Sequence, residues 1–326
     1  MSEQKSTLSK NKKKTIKQYT KQLEKYAILI AFLLLCIVIS ILRPTFLSPA
    51  NLIIVLNQTA INGVLAVGIT FVLITGGIDI SIGSIVGLSG VISALCVQNG
   101  LPIILAFLVG IISGLAVGAI IGALVTKGKL APYIVTLGFL TIIRGVAMLV
   151  SGGRPISGLG NDYGFLGNGT VFGTIPIPVI VFIVVAVIAY ILLARLLIGR
   201  YVYAVGGNLK AAETSGISPN KIKMFVHIVS GTCAGIAGVI LSSRIITGQP
   251  NAGEGYELDA IAAAVVGGTS LAGGTGGIPG TIIGALIIGV IANGLDLLGV
   301  SSYWQDVVKG LIIVIAVLLD RNKKRQ

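Results

Sequence analysis

Ionisable side chains inside the apolar stretches of this chain are few, and they are the first candidates for chemistry. Asp79 follows two glycines between the second and third apolar stretches, where it can cap the next helix or form a polar element at the inner mouth of a pathway. Arg144 lies in the fifth stretch, and Lys309 lies in the tenth, with Asp306 as a candidate partner three residues before it. Each needs a local reason, because a charge at the centre of a membrane-spanning helix costs roughly 2.5–3.5 kcal/mol to insert.

Neutral polar side chains in the same stretches are the second group of candidates. Asn57, Gln58 and Asn62 lie in the second stretch, and Asn293 lies in the ninth. Such amides form hydrogen bonds between helices, and they equally suit a cargo that carries hydroxyl groups. They offer no charged relay of the kind that a proton- or sodium-coupled carrier usually needs. The candidate lining of a translocation pathway is therefore Asn57, Asn62, Asp79, Ser81 and Asn293.

The sequence lacks the residue combinations of the common catalytic sites. It contains no GxxxxGK[ST] string, so we do not expect this chain to bind or hydrolyse ATP by that route. His227 is the only histidine, which leaves little for a histidine-based metal site or a Ser-His-Asp triad. Cys36, Cys96 and Cys233 lie singly in apolar stretches and are expected to be buried free thiols. We predict no catalytic residue, no metal site and no cofactor in this chain.

Ten apolar stretches are the elements that must position these side chains. Hydrophobic residues make up 54% of the chain and charged residues only 11%, against roughly 25% in soluble domains. A helix needs about 20 apolar residues to cross a bilayer core. We therefore predict an all-α, polytopic transmembrane helix bundle with about ten spans, of which the third, eighth and tenth are short enough to be re-entrant or internally packed. The predicted spans are 27–42, 52–75, 80–97, 103–125, 132–150, 177–198, 224–245, 257–272, 280–299 and 304–319.

Basic residues cluster at the two ends of the chain, which carries a formal net charge of +13. Basic clusters beside apolar stretches mark the cytoplasmic side, and they all fall on one side when the number of spans is even, whether ten or eight. No basic stripe with interleaved aromatic residues is present, so we exclude nucleic acid as a partner and expect membrane lipid instead. Both termini are then cytoplasmic, with basic tails at 1–26 and 321–326 and a membrane domain at 27–320.

Two long polar segments interrupt the apolar pattern. The outer segment, 151–176, is rich in glycine and asparagine, is predicted to be an irregular loop, and is large enough to touch an external partner. The inner segment, 199–223, contains a short helix candidate that starts at Leu209, with Asn208 as N-cap and Gly216 as C-cap.

Glycines recur at two places in patterns that have both a packing and a functional interpretation. One glycine every four residues in the fourth stretch indicates close helix packing, or a sliding or dimer contact. A TGGI string occurs twice, which is either an internal repeat or chance in a glycine-rich chain. The positions are Gly110, Gly114, Gly118 and Gly122 for the stripe, and 75–78 and 275–278 for the string.

Four strings in the chain resemble the permease subunits of bacterial ABC importers for sugars such as ribose, xylose, arabinose and galactose. They are LITGGIDISIGSIVGL (73–88), GRYVYAVGGNLKAAETSGI (199–217), GYELDAIAAAVVGGTSLAGGTGGIPGT (255–281) and LGVSSYWQDVVKGLIIVIAVLLD (298–320). The resemblance extends over about residues 40–320. It implies a multi-pass protein of the bacterial cytoplasmic membrane that imports a monosaccharide, with ribose as the favoured cargo.

The resemblance also implies partners and contact residues. Two permease copies, expected to be a homodimer, would form the pathway, and an extracytoplasmic sugar-binding protein would dock above it. A separate ABC ATPase subunit would bind ATP and magnesium below it. The inner segment would form the helix that contacts the ATPase, through Asn208, Ala211, Ala212, Ser215, Gly216 and Ile217.

Two other classes of protein remain as alternatives at this stage. An ion-coupled secondary sugar carrier would transport without any partner and would stop when an ionophore collapses the gradient. A membrane-embedded enzyme or lipid flippase would need functional residues at mid-membrane depth, of which the sequence offers few.

Overall fold

The computed structural model of the chain describes residues 28–323, so the predicted tail 1–26 and residues 324–326 lie outside the described residues. Most of the described chain is helical. The helices are α1 (Ile28–Leu42), α2 (Pro49–Ile74), α3 (Ile82–Gln98), α4 (Ile103–Thr126), α5 (Pro132–Ser151), α6 (Phe165–Asn168), α7 (Ile177–Tyr190), α8 (Leu197–Gly207), α9 (Leu209–Thr214), α10 (Pro219–Ile245), α11 (Tyr256–Val266), α12 (Ile278–Leu297) and α13 (Ser302–Lys323).

Short irregular turns and one small hairpin complete the described chain. A π-helical turn, Ile191–Arg195, continues α7, and 3₁₀ turns lie at Pro44–Leu47 and Asn161–Gly164. Strands β1 (Thr170–Val171) and β2 (Ile175–Pro176) pair antiparallel, with Val171 opposite Ile175.

Each of the ten predicted stretches contains a helix, and six helices within residues 28–323 are long and apolar enough to cross a membrane. These six are α2, α4, α5, α7 with its π-helical turn, α10 and α12; α1 and α3 are apolar but shorter. The prediction of an all-α membrane bundle is thereby confirmed in its coarser form, and the count of ten spans stays a prediction.

The eighth predicted stretch, 257–272, is helical only as far as Val266. Two glycines end the helix: Gly268 has a φ of +92°, and a Cβ atom at Gly267 would collide with the backbone of Gly280 in α12. The resulting α11 has 11 residues and is about 16 Å long, which is too short to cross a bilayer core. Helix α11 therefore covers only part of the eighth predicted stretch, which was expected to be short enough to be re-entrant or internally packed.

Helix α10 lies at the centre of the bundle and packs against α2, α3 and α4. The glycine stripe of α4 makes this packing possible. A Cβ atom at Gly114 would collide with the backbone of Gly231 and Gly235 in α10, and one at Gly118 would collide with the carbonyl of His227. The stripe thus serves close packing of two helices within one chain, as expected for small residues at a membrane helix interface.

Large apolar side chains cover the outward faces of several helices. Ile104 on α4, Ile134 on α5 and Val187 on α7 are all more than half exposed. A soluble protein rarely exposes a continuous apolar surface of this kind, whereas a lipid bilayer solvates it.

The outer segment 151–176 is more ordered than the predicted irregular loop, since it contains α6 and the β1–β2 hairpin. Tyr163 anchors it: the side chain is fully buried, and its hydroxyl lies 3.1 Å from Ser93 Oγ and 2.7 Å from Ser242 Oγ. Burial raises the pKa of the Tyr163 phenol, which stays protonated and can donate to a serine. The segment therefore packs on the ends of α3 and α10.

Candidate functional site

Asp79 lies where the chain returns into the bundle between α2 and α3. Helix α2 ends at Ile74, and the chain reverses at Gly76, whose φ is +78°. The Asp79 carboxylate is fully buried; its Oδ1 accepts hydrogen bonds from the N–H of Ser81 at 3.0 Å and from the Ser81 hydroxyl at 2.6 Å. Its Oδ2 accepts from the hydroxyl of Ser230 in α10 at 3.0 Å.

These bonds form an Asx turn at Asp79 just before α3 and join that turn to α10. Asp79 and Ser81 are both fully buried in this conformation, so neither faces an open channel. Their place in a translocation pathway remains a prediction.

Asn293, predicted to line the pathway, forms a buried amide pair in this structure. Its side chain exchanges two hydrogen bonds of 2.9 Å with that of Asn51, in the first turn of α2. Asn51 also donates to the carbonyl of Phe46. Sequence reasoning missed Asn51, although it lies 11 residues before Asn62, a spacing of three helical turns that places both on one face of α2.

The same face of α2 leads to a group of polar side chains from three helices, which we call the α2–α11–α13 cluster. Contacts join Asn62 of α2, Asp259 of α11 and Lys309 of α13, and we include Gln58 and Thr59 because they lie within about one turn of Asn62 on the same face of α2. The Lys309 ammonium lies 3.1 Å from Oδ2 of Asp259, and the Asn62 amide donates to the same oxygen at 3.5 Å.

This cluster corrects the expected partner of Lys309. The salt bridge of Lys309 is with Asp259 on another helix, instead of with Asp306 one turn away on its own. Asp259 itself is only 5% exposed. Asn57 lies about 140° around α2 from Asn62, so the structure does not bring it to this cluster.

The predicted short helix in the inner segment is confirmed as α9. Oδ1 of Asn208 accepts the N–H of Ala211 at 3.0 Å, and Gly216 ends the turn with a φ of +80°. Most of the predicted contact residues are exposed, and Ile217 is half-buried. Ala212 is the exception, because it is 4% exposed and belongs to the apolar core. It therefore packs α9 against the rest of the bundle and cannot itself present a contact surface.

A junction of glycines connects the α8–α9 region with the rest of the bundle. The N–H of Gly274 donates to the carbonyl of Ile74 at the end of α2, and the Tyr203 hydroxyl of α8 donates to the carbonyl of Gly276, both at 2.8 Å. A Cβ atom at Gly206 would collide with the Ile74 carbonyl. Both TGGI strings lie at this junction. The first is followed by α3, and the second leads directly into α12.

Helix α8 itself was missed within the predicted inner segment. Its buried positions, Gly199, Val202 and Val205, are spaced by three residues, a helical signal that the surrounding polar residues concealed. Within residues 28–323, no group of three or more His, Cys, Asp or Glu side chains is placed to hold a metal ion.

Apolar helices with apolar outer surfaces and a buried polar interior define a polytopic membrane protein. The family model described as the permease component of the branched-chain amino acid transport system matches residues 51–317. The chain belongs to this family of transport permeases.

Curated relatives match almost the whole chain. It is 50% identical to the ribose import permease protein RbsC of Bacillus subtilis (strain 168), over 92% of this chain and 94% of that protein. It is 45% identical to RbsC of Escherichia coli (strain K12), over 91% and 93%. It is 41% identical to the D-allose transport system permease protein AlsC of the same strain, over 89% and 90%. No solved structure matches the chain.

Proposed function

We propose that this chain is the membrane-spanning permease subunit of an ATP-driven ABC importer that moves ribose into the cytoplasm of a bacterium. The observation that carries the proposal is the identity of 45–50% to ribose import permeases over more than nine tenths of this chain and of theirs. The sequence has no phosphate-binding loop, so the energy must come from a separate ATPase that binds ATP and magnesium.

The exposed face of α9 is the contact we propose for that ATPase. Asn208, Ala211 and Ser215 are exposed on a helix whose N-cap and C-cap hold it in a fixed conformation. Small residues on such a face let another backbone approach closely. Because Tyr203 and Gly206 of the neighbouring α8 contact Gly276 and Ile74, a displacement of α9 would be transmitted to the end of α2 and to the α11–α12 connection.

The arrangement in the membrane belongs to the same proposal. We place both termini and α9 in the cytoplasm and the 151–176 segment outside, with about ten traversals, of which the eighth would be made by the short α11 together with the non-helical segment that follows it. The outer surface would receive an extracytoplasmic sugar-binding protein, and a second copy of the chain would complete the pathway. Exposed aromatic side chains on this outer side, Phe172, Tyr303 and Trp304, support contact with a partner or with the membrane interface.

Asn57, Asn62, Asp79, Ser81 and Asn293 remain our proposed pathway residues. Asp79, Ser81 and Asn293 are buried in the described conformation, so they would reach a cargo only after helices of the bundle rearrange. Neutral amides and hydroxyls suit a sugar because they both donate and accept hydrogen bonds.

Uptake in cells tests the cargo. In a bacterial strain that lacks its own ribose permease but keeps the matching ATPase and binding protein, this chain should restore uptake of labelled ribose. Excess unlabelled ribose should compete fully, whereas xylose and galactose should compete weakly; D-allose is the closest test of selectivity, since AlsC is a relative. Membrane insertion of the chain without any ribose uptake would contradict the assignment.

A further inference from the structure

Three oxygens on one face of α2 are buried without a partner. Oε1 of Gln58, Oγ1 of Thr59 and Oδ1 of Asn62 are shielded from solvent, and among residues 28–323 none of them has a hydrogen-bond partner. Thr70 and Thr126 behave differently, because each donates its hydroxyl to the carbonyl four residues earlier. Buried polar atoms in native proteins are nearly always satisfied, so this face of α2 is built to receive hydrogen bonds from something else.

The charged pair opposite this face adds a carboxylate and an ammonium group. The side chain of Asp259 is 7% exposed and that of Lys309 is 27% exposed, so the cluster is shielded but reachable between α11 and α13. Gly289 of α12 lies against the Thr59 hydroxyl, where a Cβ atom would collide with it. Helix α12 is therefore packed closely against α2 at Thr59, so a ligand would reach the cluster from the side of Asp259 and Lys309.

The cluster also has the position expected of a transport site. Asn62 lies at the middle of the 26 residues of α2, and Asp259 lies on α11, which ends part of the way through the bundle. Substrate sites in transporters typically lie near the middle of the bilayer and use such discontinuous helices. Ionisable residues at that depth usually mark a cargo pathway.

We propose that Gln58, Asn62, Asp259 and Lys309 form a subsite that binds the hydroxyl groups of a monosaccharide during its passage. The amide oxygens and the carboxylate would accept hydrogen bonds from the hydroxyls, and the ammonium of Lys309 would donate one. The inference rests on the proposed function and adds to it a binding site within the permease.

The charges of the pair select the class of ligand. A cation in this space would be attracted by Asp259 but repelled by Lys309, and an anion the reverse, so this pair of opposite charges 3.1 Å apart gives neither kind of ion a net attraction. A neutral ligand rich in hydroxyl groups meets neither penalty. The cluster thus matches a sugar better than a coupling ion.

Transport and ATP hydrolysis measured in the same vesicles test the subsite. The complete transporter, with its ATPase and binding protein, is reconstituted with Gln58→Leu or Asn62→Leu in this chain. Each variant should lower labelled ribose uptake roughly fivefold, the effect of one lost hydrogen bond, while ATP hydrolysis stimulated by the loaded binding protein is unchanged. Asn99→Leu, at the exposed end of α3, is the matched control and should transport normally.

Thiol labelling gives a second readout that does not depend on turnover. Asn62→Cys is introduced into a chain whose Cys36, Cys96 and Cys233 are replaced by serine, and the assembled transporter is treated with a small thiol reagent. Ribose should slow the labelling, whereas an equal concentration of sodium chloride should not.

The outcomes separate the two proposals. If the unaltered transporter takes up ribose but both leucine variants match it, or if ribose does not protect position 62, the subsite is overturned and the function stands. If the unaltered transporter takes up no ribose, the proposed function fails. If the leucine variants do not assemble into a transporter, protection of position 62 by ribose decides whether the subsite exists.

Discussion

At the scale of single residues, buried polar side chains determine how the helices of this permease meet. Asp79 has three hydrogen-bond donors around one carboxylate, and one of them comes from α10. The bond to Ser230 therefore fixes the start of α3 against the centre of the bundle.

We expect substitutions that remove or mismatch the hydrogen bonds of Asp79 to lower the stability of the chain. Ser230→Ala removes one hydrogen bond and should cost about 1 kcal/mol, whereas Asp79→Asn turns an amide N–H₂ towards donors and should cost about 1.5–3 kcal/mol. Thermal unfolding of the purified chain in detergent measures both. Ser157→Ala, on the exposed outer segment, should change little; equal melting temperatures for all three variants would contradict the role of Asp79.

Single residues also show which local features could be predicted from the sequence and which contacts could not. Asn208 and Gly216 were predictable caps because capping depends on neighbours within a few residues. The partner of Lys309 was not predictable, since Asp259 lies 50 residues away on a helix whose end the hydropathy did not mark. Ala212 was assigned to the exposed face because an alanine fits both a surface and a core.

At the scale of elements, glycine spacing sets the distance between α4 and α10. The four-residue period in α4 was visible in the sequence, and it could equally have served a contact between two copies of the chain. The structure assigns it to α10, where backbones of the two helices touch at Gly114 and Gly231. The existence of the helices followed from hydropathy. The end of α11 at Val266 and the presence of α8 as a separate helix depended on tertiary contacts of glycines.

Filling the α4–α10 contact should destabilise the bundle. Gly114→Leu places a large side chain against the backbone of α10 and should cost about 3 kcal/mol, the upper end for overpacking. Gly138→Leu is the matched control, because nothing lies within 4 Å of its added Cβ atom. Size-exclusion profiles and melting temperatures in detergent compare them; a Gly114→Leu chain as stable as the control would mean that the two helices are not in close contact.

The exposed face of α9 can be tested separately from its buried side. Ala211→Arg adds bulk and charge to the exposed face, so we expect a folded chain that no longer co-purifies with the ATPase and loses most of its transport. Ala212→Arg forces a charge into the core and should impair folding itself. Ala131→Arg, on the exposed α4–α5 connection, is the control. Normal ATPase binding by the Ala211→Arg chain would exclude α9 as the contact.

At the scale of the whole molecule, the contacts form a route from the proposed ATPase surface to the polar interior. Helix α9 adjoins α8, which contacts the end of α2 and the α11–α12 connection, and these elements carry the α2–α11–α13 cluster. A transporter driven by an external ATPase needs such a mechanical connection. An ion-coupled carrier would instead need a charged site that binds its ion, whereas Lys309 and Asp259 already neutralise each other.

Uptake by purified components tests the central claim most directly. Vesicles that contain this chain with its ATPase, and ATP on the ATPase side, are given labelled ribose and the binding protein on the opposite side. Our account predicts ribose accumulation that requires ATP and both partners and persists when an ionophore collapses ion gradients. Accumulation by this chain alone that stops on addition of the ionophore would contradict it.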